Sequence, residues 1–116
     1  MSAYRSIFTR GDYHWPSGMD RAAATFSVAP ETVTERTGIA FESGVDDLDY
    51  FRAAGVELPS GRRVVLVWYE RSPVQGLVLE VDAKDDPAAA LLETMAALKL
   101  EPTEVSWTPD SDAPAG

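Results

Sequence analysis

The sequence predicts an α+β fold in which a mainly antiparallel sheet packs against a C-terminal helix. Two observations lead to this class. The predicted strands follow one another as a β-meander over about residues 39–82, and the best-marked helix comes only after them. Short N-terminal helices and a short C-terminal strand complete the prediction. The length of 116 residues fits one domain, which we place at residues 1–108, with 109–116 as a flexible acidic tail.

The most strongly marked strands lie in residues 62–82. Two runs rich in β-branched and aromatic residues, 64–69 and 77–81, flank a break that contains Pro73 and Gly76. This pattern is typical of a hairpin. The first run is apolar on both faces, which predicts a central strand covered on two sides.

Two helices are predicted before the meander. Residues 19–28 contain the helix-favouring run Ala22–Ala24. The second helix begins at Pro30, because proline suits the first helical position, and ends before Gly38, which can adopt the left-handed conformation of a helix stop.

The meander begins as residues 39–42 enter the sheet, and an acidic turn over 43–47 follows. Residues 49–58 fit both helical and strand spacing. We favour a strand, because residues 58–62 form a tight turn with proline at its second position and glycine at its fourth. Gly55 inside that strand would mark a bulge or a close approach of backbone.

The final helix is capped by Asp85 or Asp86, begins at Pro87 and ends before Pro102. Its large apolar residues are predicted to form one buried stripe, joined by two alanines. These residues are Leu91, Leu92, Met95 and Leu98, with Ala88 and Ala96. A closing strand is expected over 104–108.

Composition narrows the functional class. There is no cysteine, so disulfides and thiolate metal sites are excluded. We see no signal peptide and no apolar run of membrane-spanning length, which predicts a cytoplasmic protein with no membrane partner. Arginine outnumbers lysine eight to two and asparagine is absent, a bias typical of a GC-rich bacterial genome.

The net charge narrows the functional class further. The formal net charge is −9, and all of it arises from residues 41–116, since the first forty residues are neutral. This field would repel nucleic acid and attract a basic protein. Residues 31–40 are similar to the start of a helix-turn-helix, but the acidic residues that follow exclude a basic recognition helix.

Interface anchors are predicted at Trp68, Tyr69 and Arg71, because aromatic residues and arginine are typical of binding hot spots. Strand alternation places Trp68 and Tyr69 on opposite faces, one in the core and one free to be exposed. A second candidate is the acidic group of Glu42, Asp46, Asp47 and Asp49. Its spacing is not that of an EF-hand, so we interpret it as a solvated turn and predict no metal and no cofactor.

The only histidine, His14, lies between Tyr13 and Trp15 and could act as a general base. This loop is the basis of the alternative hypothesis, a small-molecule-binding protein or enzyme with a pocket there. No serine lies in a nucleophile-elbow pattern, and catalysis is therefore the less favoured hypothesis.

The favoured hypothesis is a non-catalytic acidic protein-binding module that occludes a basic partner, as an inhibitor does. Its size and element order are similar to those of small bacterial immunity proteins, although no motif is specific enough to name a family. Homodimerisation through a sheet edge is a third hypothesis.

Overall fold

The computed structural model describes residues 5–6, 21–45, 50–71 and 76–109. They form an α+β fold in which two α-helices pack on one face of an antiparallel sheet. In chain order the strands are β1 (Arg5–Ser6), β2 (Arg21–Phe26), β3 (Glu42–Val45), β4 (Tyr50–Glu57), β5 (Arg63–Tyr69), β6 (Leu77–Val81) and β7 (Val105–Trp107). The helices are α1 (Pro30–Thr37) and α2 (Pro87–Leu98), and a 3₁₀ turn spans Pro102–Glu104.

The strands pair in the order β1-β4-β5-β6-β2-β7, and β3 pairs with β4 as well. Strands β3 to β6 follow one another along the chain and across the sheet, so the predicted meander is confirmed, as is the β5–β6 hairpin pairing. Strand β5 lies inside the sheet, and its residues 64–67 are fully buried. Its apolar character on both faces therefore correctly predicted a central strand.

The turn between β4 and β5 is the one that the sequence predicts. The Gly61 amide donates to the Leu58 carbonyl at 2.8 Å, and the Leu58 amide donates to the Arg62 carbonyl at 2.8 Å. Residues 50–57 are strand, as favoured. Of the two alternatives predicted for Gly55, the bulge is wrong, because the β4–β5 register runs without a shift and pairs Gly55 with Val65.

The helix predicted over residues 19–28 is wrong, because residues 21–26 form strand β2 between β6 and β7. Among the described residues before the meander, α1 is the only helix. Alanine favours a helix in isolation, but here Ala23 and Ala24 are buried in the sheet where α2 packs across β2. Their small side chains let the helix approach closely, and the pairing and packing of β2 outweigh local propensity.

Helix α1 has the predicted bounds. Pro30 is its first residue, and Gly38 ends it with a φ of 80° while its amide donates to the Thr34 carbonyl at 2.8 Å. Strand β3 begins at Glu42 and continues to Val45, so the turn predicted over 43–47 is wrong for its first three residues. Residues 46–49 lie outside the described part of the chain.

Helix α2 begins at Pro87 after an Asp86 cap, and three of the four large residues of the predicted stripe contact the main core: Leu98 is buried, and Leu91 and Met95 are partly buried against it. The prediction is wrong for Leu92, Ala88 and Ala96, which are exposed. Leu92 is 68% exposed, while Ala90, Thr94, Ala97 and Leu98 are the buried residues. Apolar residues cover most of the helix surface, so the sequence pattern includes Leu92 in the stripe although this side chain faces away from the sheet. Buried Thr94 is accommodated because its hydroxyl donates to the Ala90 carbonyl at 2.7 Å. Within the described residues, no helix reaches the length and hydropathy that crossing a bilayer demands.

The buried apolar side chains of the described residues form two clusters on opposite faces of the sheet. The main cluster joins the helices to the sheet through fully buried side chains such as Val33, Leu66 and Leu98. Each such side chain contributes about 1.5–3 kcal/mol of transfer free energy. The second cluster consists of Phe51, Ala53 and Val67.

An ion pair joins the end of α1 to the 3₁₀ turn. The two terminal nitrogens of Arg36 donate to the two carboxylate oxygens of Glu104 at 2.7 and 2.8 Å. Arg36 also donates to the Lys99 carbonyl at 3.1 Å. The Arg36 hydrogen bonds, helped by the Glu101 amide, lower the pKa of Glu104 from 4.5 to about 2. The pair therefore fixes the chain that enters β7.

This pair predicts a loss of stability in acid. Between pH 4.5 and about 2 the unfolded chain binds more protons at Glu104 than the folded chain, so the free energy of unfolding falls as the pH drops through this window. Arg36→Gln should make the free energy of unfolding less dependent on pH in this window. The reduction corresponds to a difference of up to about one bound proton between the unfolded and folded chain. Urea unfolding at a series of pH values measures it.

Arg63→Gln is the matched control, since Arg63 is more exposed and lies 3.8 Å from Glu57. Arg63→Gln removes the same charge, and its free energy of unfolding should depend on pH as that of the wild type does. If both variants had the same slope, the assignment to Glu104 would be wrong.

Candidate functional site

Three apolar side chains lie together at one corner of the sheet: Val45, Tyr50 and Trp68. We call them the Tyr50 patch. Val45 is 78% exposed and Tyr50 is 37% exposed. Trp68 is half-buried and packs against the main core, so the patch is anchored from beneath. Exposed aromatic groups on a rigid base are typical of protein-binding surfaces.

Strand register brings these side chains together. Val45 pairs with Tyr50 across β3 and β4, and Trp68 pairs with Arg52, two residues beyond Tyr50 on the same face. The Tyr50 ring meets the Trp68 ring edge-on, with centroids 6.3 Å apart and planes at 80°. The Tyr50 hydroxyl donates to the Ser43 hydroxyl at 2.9 Å. Contacts within the protein therefore hold the Tyr50 side chain in place, through its ring at Trp68 and through its hydroxyl at Ser43.

Charged groups flank the patch. Arg52 forms an ion pair with Glu31 in the first turn of α1, and its hydrogen bond lowers the pKa of Glu31. Glu31 therefore remains ionised well below neutral pH. Exposed Glu70 follows β5, and its amide donates to the Tyr50 carbonyl at 3.0 Å. The patch thus lies beside the Arg52–Glu31 ion pair and next to exposed Glu70, whose backbone is bonded to that of Tyr50.

The predicted site residues divide into four groups. Trp68 belongs to the patch. Tyr69 is half-buried on the opposite face, where its ring lies 6.2 Å from that of Phe51. Arg71 is exposed in the turn after β5. The remaining predicted residues lie outside the described part of the chain: His14, Trp15, Asp46, Asp47 and Asp49, together with Tyr13.

Sequence reasoning missed Tyr50 and Val45. A signal for Tyr50 was present, because the tight turn at residues 58–61 sets the β4–β5 register and pairs Arg52 with Trp68. Counting outward from that turn places Tyr50 diagonally across from Trp68, within reach of an aromatic ring. The same count does not reach Val45, because the sequence predicts a turn and not a strand at that residue.

The described residues contain no group of three or more His, Cys, Asp or Glu side chains that could hold a metal ion. Comparison with protein families, with curated proteins and with solved structures finds no match to this chain. The fold and the patch together define an antiparallel α+β domain with an exposed aromatic corner. A function must therefore be argued from the chemistry of that corner.

Proposed function

We propose that this protein is a non-catalytic binding module whose Tyr50 patch docks against a basic protein. The observation that carries the proposal is the patch itself, where Val45 and Tyr50 are exposed beside Trp68. Exposed apolar side chains that are grouped and rimmed by polar residues mark interaction surfaces, whereas scattered ones do not.

Rigidity favours binding at this corner. Tyr50 is held by the Ser43 hydroxyl and the Trp68 ring, and Trp68 is held by the core. A partner that buries these rings would lose little side-chain entropy, because the rings are already ordered. Burial of a preorganised aromatic group near the centre of an interface is typical of a hot spot.

Charge favours a basic partner. The chain carries a formal net charge of −9, and exposed Glu70 directly follows the strand that carries Trp68. The sequence between β3 and β4 adds Asp46, Asp47 and Asp49. Such a field increases the association rate with a basic surface and opposes acidic competitors. The role that fits best is that of an inhibitor or immunity protein that occludes a basic toxin or nuclease.

The alternative, a pocket formed by Tyr13, His14 and Trp15, concerns residues outside the described part of the chain. No observation on the described residues favours it, so it stays a sequence-based hypothesis.

The test begins with affinity capture on the immobilised full chain at about 50 mM salt, where surface charges are weakly screened. A basic protein retained in stoichiometric amount is then purified, and its dissociation constant is measured by calorimetry. Val45→Lys should weaken binding at least about tenfold, because it places a like charge and removes apolar contact in the interface. The dissociation constant should also rise with salt.

Leu92→Lys is the matched control, since it makes the same charge change at another exposed apolar side chain, on α2. It should leave the affinity unchanged. Failure to recover a stoichiometric basic partner would contradict the proposal, and so would equal weakening by both variants.

A further inference from the structure

The face of the sheet opposite the helices is buried, although neither α1 nor α2 lies on it. Side chains alternate along β5, so Val65 and Val67 lie on the face opposite to Val64, which belongs to the main cluster. Both are 0% exposed. Val65 is flanked in the sheet by Gly55, which has no side chain that could shield it, and by Glu80. The burial of Val65 therefore requires a further part of the chain over this face.

The connection between β1 and β2, residues 7–20, starts and ends beside this region. One row of paired residues joins its two ends across the sheet: Ser6, Val56, Val64, Val81 and Arg21. The ends are thus four strand spacings apart, about 19 Å. Fourteen residues span up to about 46–50 Å when extended, so the connection is long enough to cross the sheet. Val65 lies in the row next to this one.

The hand of the crossover selects the face. Strands β1 and β3 lie at the same edge, beside β4, and both run parallel to β2. Helix α1 leads from β2 to that edge on the face of the main cluster, whereas residues 7–20 lead from that edge back to β2. Two crossovers in opposite directions between parallel strands have the same hand only when they lie on opposite faces. Because such connections are almost always right-handed, residues 7–20 belong on the face opposite α1.

We infer that residues 7–20, which lie outside the described part of the chain, pack across this face as a third layer and cover Val65 and Val67. The segment contains large apolar side chains for this contact: Ile7, Phe8, Tyr13, Trp15 and Met19. Its backbone passes close to Gly55, and this approach accounts for a glycine without a positive φ inside a paired strand.

This layer separates the aromatic residues near the N-terminus from the Tyr50 patch. Trp68 packs against the main cluster, so the patch is on the face of the helices. The inferred layer places Tyr13, His14 and Trp15 on the other face. A partner bound at the patch therefore does not share an interface with them.

Nuclear Overhauser spectra of the isotopically labelled full chain test the inference directly. The methyl groups of Val65 and Val67 should show cross-peaks to protons of residues 7–20. The methyl groups of Val64 and Leu66, their neighbours on the same strand, should show cross-peaks to the main cluster and none to this segment. If the methyl groups of Val65 and Val67 had cross-peaks to residues 110–116 instead, or none to residues 7–20, the inference would be overturned.

Gly55→Val tests the inference by the sign of its effect. Valine is favoured over glycine in a strand, so on an uncovered face this variant should have a higher urea midpoint than the wild type. Under the inferred layer the new side chain displaces the segment, and the midpoint should fall. A midpoint at or above that of the wild type would overturn the inference. Neither readout involves a basic partner, so this inference and the proposed function can fail separately.

Discussion

Replacing Gly76 with alanine is expected to destabilise the protein by about 3 kcal/mol or more. Gly76 has a φ of +111°, a conformation that residues with a side chain rarely adopt. A methyl group there would also lie 2.0 Å from the Phe26 carbonyl oxygen. Phe26 pairs with Leu77 in the β2–β6 ladder, so relief of this clash must shift a hydrogen-bonded strand inside the sheet.

Gly61→Ala separates the two causes. Gly61 has a similar φ of +90°, but an added methyl group meets nothing within 4 Å. This variant should lose only the backbone term, about 1–2 kcal/mol. Urea unfolding of both variants beside the wild type measures the difference in unfolding free energy. If Gly76→Ala were no worse than Gly61→Ala, the close approach of β2 to the start of β6 would be contradicted.

The sequence predicts correctly the parts of the fold that depend on residues close together in the chain. The turn at residues 58–61 needs only Pro59 and Gly61, and α1 needs only Pro30 at its start and Gly38 at its end. Strand β5 is marked by its unbroken apolar run. In each case the residues that determine the structure lie within a few positions of one another.

The wrong predictions concern elements whose structure depends on distant residues. Strand β2 has the composition of a helix, but its place between β6 and β7 is determined by pairing with chain more than fifty residues away. Which face of α2 is exposed also depends on residues distant in the chain. Apolar residues cover most of the helix, and which of them are buried depends on the contacts of α2 with β2, β6 and α1.

The candidate site is predictable from the sequence only in part. Trp68 is identifiable as an anchor from composition, since tryptophan is enriched in interfaces. Its neighbour Tyr50 follows from strand register, and Val45 follows only from knowing that β3 extends to that residue. A site assembled from three strands thus needs two pairings, and the sequence determines one of them through the turn at residues 58–61.

Leu98→Ala and Leu92→Ala are expected to differ sharply, although both delete the same atoms from one helix. Leu98 is fully buried in the main cluster, so its truncation should leave a cavity and cost about 2–5 kcal/mol. Leu92 is 68% exposed, and its truncation should change the unfolding free energy by no more than about 0.5 kcal/mol. Urea unfolding of both variants beside the wild type gives both values.

The comparison distinguishes the observed packing of α2 from a single stripe of large residues. A stripe that buried Leu91, Leu92, Met95 and Leu98 together would give the two variants similar losses. In the observed packing, the small residues Ala90, Thr94 and Ala97 accompany Leu98 into the interface, and Leu92 faces away from the sheet. Similar losses for Leu92→Ala and Leu98→Ala would contradict this orientation of the helix.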